Sequence, residues 1–364
     1  MDILRFVRRR FQPYHGCLVY LPLRTMSVGT SPNLLTNPGF ETGSPPTGVL
    51  VNTVAAATEG TIINSGGAAL KLTGDGSVGY HFAYYSLASF ATYKSITATH
   101  KAYLRAPATN TFDSNIRLSD GVAEVDSSAV CKDTSFHLVS CSQKLAATAS
   151  RLWTVWALPA TSQASSDVLY VDDVSLTVPQ SIAPNGQIIH PEGCSNNGQG
   201  FLFNGTTSLL TTESDFIGTS ACTIMGWIKP TGWGENDGGR IIDNGKLLFW
   251  LNNAGRQALS ISSDASTIAE SAPNSIILNK KQHIAVTRTS ASPARVNFYI
   301  DGILSGTANA SSGNAAGGTS NIVIGNRLAG DRTFAGTIDD LQVYNRVLST
   351  NEIRNHYLWT RGLP

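Results

Sequence analysis

Charge is scarce in this sequence. Asp, Glu, Lys and Arg make up 14% of 364 residues and balance to a net +1. So weak a global field excludes binding driven by general attraction to nucleic acid or to an acidic partner. Long apolar runs are also missing. None approaches the roughly 18 residues a membrane-spanning helix needs, so no membrane insertion is expected. Cysteine is sparse and odd in number, at positions 17, 131, 141, 194 and 222. No pair has CxxC or Cys/His zinc spacing, and the pattern points to free thiols rather than a disulfide framework. The opening "MDILRFVRRRFQPYHG" lacks an apolar h-region and a small-residue cleavage site, so it is not expected to act as a secretory signal peptide. Catalytic signatures are absent too. There is no E-x-D-x-x-E pair on a strand, no Ser-His-Asp elbow, no P-loop and no metal-hydrolase motif, so the chain is expected not to be an enzyme.

What the sequence has is 34 glycines against three methionines, with Ser, Thr, Asn and Ala filling much of the rest. Short β-branched runs alternate with Gly, Asn, Ser and Pro, which is the pattern of all-β sandwiches. The length suggests two domains. The expected fold class is all-β: two antiparallel β-sandwiches, with one short C-terminal helix.

Residues 33–178 form one compositional block of strand-length pieces such as "AALKLTG", "HKAYLRAP", "SNIRLSDG" and "SRLWTVWALP", which predict an antiparallel jelly roll. Its opening "NLLTNPGFETG" and closing "YVDDVSL" resemble carbohydrate-binding modules of families four and nine, β-jelly rolls that bind polysaccharide. The first and last strands of such a sandwich lie near each other, so Glu41 and Asp172 or Asp173 are placed to converge. Hard oxygen ligands suit calcium. The resemblance implies a structural Ca2+ on Glu41 and Asp172; the other reading is that the acids cap turns. A sugar site needs aromatic faces beside hydrogen-bonding groups. Tyr80, Tyr84, Tyr85, Trp153 and Trp156 are the candidates. Trp153 and Trp156 stand three apart, so on a strand they face opposite sides and at most one is core.

Residues 181–364 read as strands again, with a helix near the end. Leu348, Glu352, Ile353 and His356 have helical spacing, and "STNE" supplies a capping box with Ser349 as N-cap. "FNGTTSLL", "CTIMGWIKP", "HIAVTRT…VNFYIDGIL" and "FAGTIDDLQVYNRVLSTNEI" follow the motif order of laminin G-like domains of the concanavalin A-like lectin/glucanase sandwich, which this block resembles. Trp227 is expected in the core, His283 at a strand start, and Asp301-Gly302 in a tight hairpin turn. Asp339 and Asp340 are expected to satisfy backbone or bind an ion. Function is expected in the loops. "TGWGENDGGR" offers Trp233, Glu235, Asn236, Asp237 and Arg240; "FWLNNAGR" offers Trp250, Asn252, Asn253 and Arg256.

"CLVYLPL" at 17–23 is an apolar strand with no evident partner. Laminin G-like domains open with a strand of this form, and "SIAPNGQIIHPEG" supplies its usual continuation only after residue 180. The reading is an insertion. Residues 16–32 and 179–364 make one discontinuous sandwich, and 33–178 the inserted jelly roll. The strand is expected to pair beside "IDDLQVY".

Two lectin-like sandwiches without a catalytic domain imply adhesion to host-surface glycan. The pairing resembles minor structural proteins of tailed bacteriophages: fibres, decorations or receptor-binding proteins, located on the virion and frequently trimeric homo-oligomers. Residues 1–15 are then a docking arm. Its Arg5, Arg8, Arg9 and Arg10 pair with acids on other virion proteins, unless the segment is a disordered basic tail. The alternatives are a purely structural assembly protein and a cell-surface polysaccharide-binding adhesin.

Overall fold

The computed structural model describes residues 13–76, 79–111, 114–128, 133–160, 167–183, 187–262, 268–291, 293–310 and 317–362. Arg5, Arg8, Arg9, Arg10 and Cys131 lie outside the described residues. Among those described, no helix is long and apolar enough to cross a membrane. The chain divides into two compact units. One holds the chain up to Val28 and from Ser181 onward; the other is Gly29–Gln180.

In the discontinuous unit two antiparallel sheets enclose one core. The first runs Ser195–Asn196, Phe201–Asn204, Ala335–Tyr344, Cys222–Pro230, Gln282–Arg288, Ala294–Ile300, Ile303–Ala310. The second runs from Ile188–Glu192 through Leu209–Thr212, Val323–Ile324, Arg240–Asp243, Leu248–Asn252 and Ala258–Ser262 to Ile268–Glu270. The solitary apolar strand Cys17–Leu21 finds its partner here. It lies antiparallel to Ala335–Tyr344, with Tyr20 opposite Gln342 and Leu21 opposite Leu341. Val19, Leu21 and Leu23 are each 0% exposed and pack with Phe201, Ile224 and Leu341. Full burial of each such side chain stabilises by about 1.5–3 kcal/mol. Pro22 cannot continue the ladder, and Leu23–Thr25 turns in a 3-10 helix. That turn delivers Arg24 to Asp339, whose carboxylate takes both the Arg24 backbone N–H (3.0 Å) and its guanidinium.

The helix Thr350–Thr360 covers the outer side of the first sheet. Ser349 accepts from the Glu352 N–H and Glu352 accepts from the Ser349 N–H, a complete capping box. Ile353, His356 and Thr360 form its buried stripe, Ile353 packing with Met225, Ala285 and Tyr299. Trp227 is 4% exposed and donates its indole N–H to Thr360 Oγ1. His283 is buried and meets His356 at 2.8 Å, and Asp340 lies 3.3 Å from His356. Asp301 and Gly302 both take positive φ, as a tight hairpin turn requires. These signature residues are structural.

The inserted unit is a second sandwich of two five-stranded antiparallel sheets. One is ordered Leu50–Asn52, Gly79–Ser86, Trp153–Ala160, Asn115–Ser119, Glu124–Asp126. The other is ordered His137–Lys144, Thr97–Arg105, Val168–Thr177, Ala69–Thr73, Ala55–Glu59. Trp156 fills the core, edge-on to Phe40 and Tyr85 and 6.1 Å from His100 of the other sheet. The unit's two ends are neighbours: Gly29–Thr30 pairs antiparallel with Pro179 and Gln180, and the Ser31 N–H donates to the Val178 carbonyl. Adjacent ends are what a chain needs to leave one domain and return to it.

Candidate functional site

The strand Gly79–Ser86, "GYHFAYYS", decides the site by its alternation. His81, Ala83 and Tyr85 are buried; Tyr80, Phe82 and Tyr84 lie on the opposite, solvent-facing side. Trp153 on the adjacent strand stands on that same side, opposite Ser86. The four rings make a continuous strip. Successive centroids are 5.6 Å apart from Tyr80 to Phe82, 5.6 Å from Phe82 to Tyr84 and 4.4 Å from Tyr84 to Trp153. Leu50, 46% exposed, lies opposite Tyr84, and the exposed Asn52 opposite Phe82.

Polar groups border the strip. Arg117 grips Asp126 with two hydrogen bonds of 2.5 and 2.9 Å and also binds Glu124. Its guanidinium lies 4.7 Å from the Tyr80 ring centroid. Arg151 donates to Ser119 Oγ at 2.8 and 3.1 Å, and its guanidinium sits 3.9 Å from the Trp153 ring centroid. Such cation–π stacking fixes the Tyr80 and Trp153 rings in place and takes up one face of each; unlike Trp250, neither ring is buried. Burial pushes the Tyr80 hydroxyl pKa up to about 12, so it stays a neutral donor. Glu124 and Asp126 both accept from Arg117, and Glu124 also accepts from Ser119 Oγ and Arg151. The arrangement presents apolar ring surface beside hydrogen-bonding side chains, which is the chemistry of a sugar-binding surface.

The structure places the sequence candidates unevenly. Tyr84 and Trp153 belong to the strip, but Tyr85 and Trp156 do not. At 5% and 0% exposure they are core residues, and Tyr85 donates to the Asn37 carbonyl. Phe82 was missed and Tyr85 wrongly included, although alternation along the strand puts Phe82 on the side of Tyr84 and Tyr85 on the other. Nothing local in the sequence marked Arg117, Arg151 or Glu124, because only pairing brings their strands to the strip.

The candidates in the other unit do not assemble into an open site. Arg240 and Trp250 pair across neighbouring strands, and the guanidinium covers the indole at 4.7 Å. Both are buried, and Arg240 Nε donates to Asp243 at 3.1 Å, so neither offers a free face to a sugar. Asn252 donates to Ser260 Oγ and Glu270 Oε1. Trp233 is half-buried and packs against the core.

Glu41 and Asp172 converge on the loop Asn64–Gly67. All four of their oxygens already accept backbone N–H groups. Gly67 N–H donates to both Glu41 oxygens (3.0 and 3.1 Å). Asn64 and Ser65 donate to Asp172 Oδ2, and Asp173 to its Oδ1. Burial raises the Asp172 pKa while these bonds pull it down. Among the described residues no group of three or more His, Cys, Asp or Glu is placed to hold a metal ion. The donor types suit Ca2+, but the geometry is that of carboxylates clasping a loop, and the fit to an ion is poor.

Residues 203–354 match the family model of the concanavalin A-like lectin/glucanases superfamily. No curated protein matches the chain. Among solved structures, the chain is similar to a xylan-binding domain from Paenibacillus barcinonensis at 15% identity, covering 40% of this chain and 94% of that one, with a TM-score of 0.32. A pentraxin from Limulus polyphemus gives 20%, 38%, 72% and 0.31. Domain 4 of an extracellular arabinanase from Geobacillus stearothermophilus, solved with arabinotriose, gives 16%, 46%, 80% and 0.34. The chain is an all-β protein, and its residues 203–354 have the concanavalin A-like fold.

Proposed function

We propose that residues 29–180 bind a neutral polysaccharide chain along Tyr80, Phe82, Tyr84 and Trp153, and that the protein is a non-catalytic adhesion protein. The observation that carries this is the row of four rings on the solvent-facing side of one sheet, bordered by Arg117, Arg151, Glu124 and Asp126. An apolar strip kept at the surface costs stability unless something covers it. Arginines and carboxylates in equal number border the strip, so an uncharged chain suits it.

Affinity electrophoresis through xylan, arabinan, galactan and mixed-linkage glucan tests the reading. The protein is retarded by at least one of them, and Tyr84→Ala weakens that binding by roughly 10- to 100-fold, the worth of one ring's apolar surface. Retardation by none, or equal retardation of Tyr84→Ala, would overturn it.

The setting we propose is a virion, on which the protein adheres to host-surface glycan as a homo-oligomer. Support comes from the paired lectin-like sandwiches and from the basic segment with Arg5, Arg8, Arg9 and Arg10, which suits docking on acidic patches of other virion proteins. Particles carrying a chain without residues 2–14 should incorporate less of it; unchanged incorporation would remove the docking role.

A further inference from the structure

The inserted unit has a second surface that the aromatic strip does not use. Residues 29–180 hold eight Lys and Arg against eleven Asp and Glu, so the unit is acidic on balance. Half of these cations nevertheless stand on one face. In the sheet His137–Lys144, Thr97–Arg105, Val168–Thr177, Ala69–Thr73, the inward positions are Leu70, Leu72, Ala98, Ala102, Leu104 and Val139, all buried. The alternate, outward positions carry Lys71, Lys101, Arg105 and Lys144.

Register sets Arg105, Lys101 and Lys144 in a row, with Lys71 to one side across the sheet. Tyr170 lies opposite Lys71 on one side and Arg105 on the other. Lys71 Nζ and the Arg105 guanidinium stand 5.9 and 5.6 Å from the Tyr170 ring centroid. Lys101 is four residues along the strand from Arg105, opposite Ser140, and Lys144 is level with Thr97, four residues further. At about 3.3 Å per residue the successive steps are about 13 Å. The hydroxyls of Thr99, Ser140 and Ser142 lie between them. None of the four cations forms an ion pair with another described residue. Of the nearby carboxylates, Glu59 accepts from Thr61 and lies within electrostatic reach of Lys71, Asp133 bonds His137 and lies within reach of Arg105, and Asp172 accepts from the N–H groups of Asn64 and Ser65. The Arg105 Nε is buried with no hydrogen-bond partner.

We propose that this outer face binds a linear anionic polysaccharide, a sulfated or carboxylated chain lying along Arg105, Lys101 and Lys144. Charge complementarity selects the sign of the ligand, and spaced single cations with hydroxyls between them suit a chain bearing both charges and hydroxyls. Nucleic acid suits it less. Tyr170 is only 7% exposed beneath its two cations, and Tyr103, between Arg105 and Lys101, is half-buried opposite Asp172, so the face has no row of open rings for base stacking. The site lies on the sheet opposite the aromatic strip and does not depend on the function proposed for that strip.

Biolayer interferometry on the full chain tests this with immobilised heparin (sulfated), polygalacturonate (carboxylated only) and duplex DNA. The double variant K101E/K144E changes only exposed side chains, so folding is retained, which circular dichroism checks. Binding to heparin at low salt is expected, falling steeply with added salt and by about tenfold or more in the double variant. Tyr84→Ala is expected to bind heparin as the parent does. Polygalacturonate binding as well as heparin assigns the face to carboxylate and sulfate alike; heparin alone assigns it to sulfate. The proposal is overturned by no binding to either polysaccharide, by equal binding of K101E/K144E, or by tighter binding to DNA than to both.

Discussion

Replacing Leu21 with alanine should weaken a part of the protein that begins 160 residues later in the chain and spare the part that follows at once. Leu21 is 0% exposed, lies opposite Leu341 and belongs to the core of the discontinuous unit. Removing a buried leucine to its Cβ destabilises by about 2–5 kcal/mol. A mid-range loss of about 3 kcal/mol raises the opening equilibrium roughly 100-fold, since 1.4 kcal/mol is a factor of ten. Hydrogen–deuterium exchange read by peptide resolves the two units. Peptides from Ala335–Tyr344 and Cys222–Pro230 should exchange faster by up to that factor. Peptides from Thr97–Arg105 and Trp153–Ala160 should keep parental rates. Faster exchange in residues 29–180, with Ala335–Tyr344 unchanged, would refute the assignment of the strand. Loss of protection in Cys17–Leu21 alone would show that the strand is an appendage and not part of the core.

The inserted unit should lose stability in mild acid because of His100, which is 0% exposed and bonded through Nδ1 to the Ser175 carbonyl. Burial pushes its pKa down to about 4 from 6.5, so the unfolded chain takes up a proton that the folded unit refuses. Stability is therefore full above pH 6.5 and falls as the pH drops towards 4, by about 3 kcal/mol at 1.4 kcal/mol per pH unit. Urea midpoints at pH 7 and 4.5 measure this; no difference between His100→Gln and the parent in that drop would count against it. Adding calcium to EDTA-treated protein should leave its melting temperature unchanged, because the Glu41 and Asp172 oxygens already accept N–H groups. A rise of several degrees would show that they hold the ion instead.

Much of the fold was legible because local chemistry and tertiary context agree. The capping box at Ser349 and the Asp301-Gly302 turn follow from residues whose geometry permits few alternatives, and the pairing of "CLVYLPL" with "IDDLQVY" was implied by the resemblance to laminin G-like domains. The site was only partly legible. Composition marked Tyr84 and Trp153 as candidates but also Tyr85, Trp156 and Trp250, which are equally aromatic and buried. An aromatic side chain serves a core as well as a surface, and the sequence does not label which side of a sheet faces water.

Resemblance to a known motif order suggested the interruption of one sandwich by another; by itself the sequence determined the class of fold and the secondary structure at its clearest signals. These depend on alternation, turn residues and caps, which act over a few positions. Tertiary structure alone decided which arginine lies on which ring and that the two acids clasp a loop. It also decided that four cations scattered over 74 positions stand on one face of a sheet. Each of these depends on strand register, and register is set by the burial of whole faces rather than by any residue's neighbours in the chain.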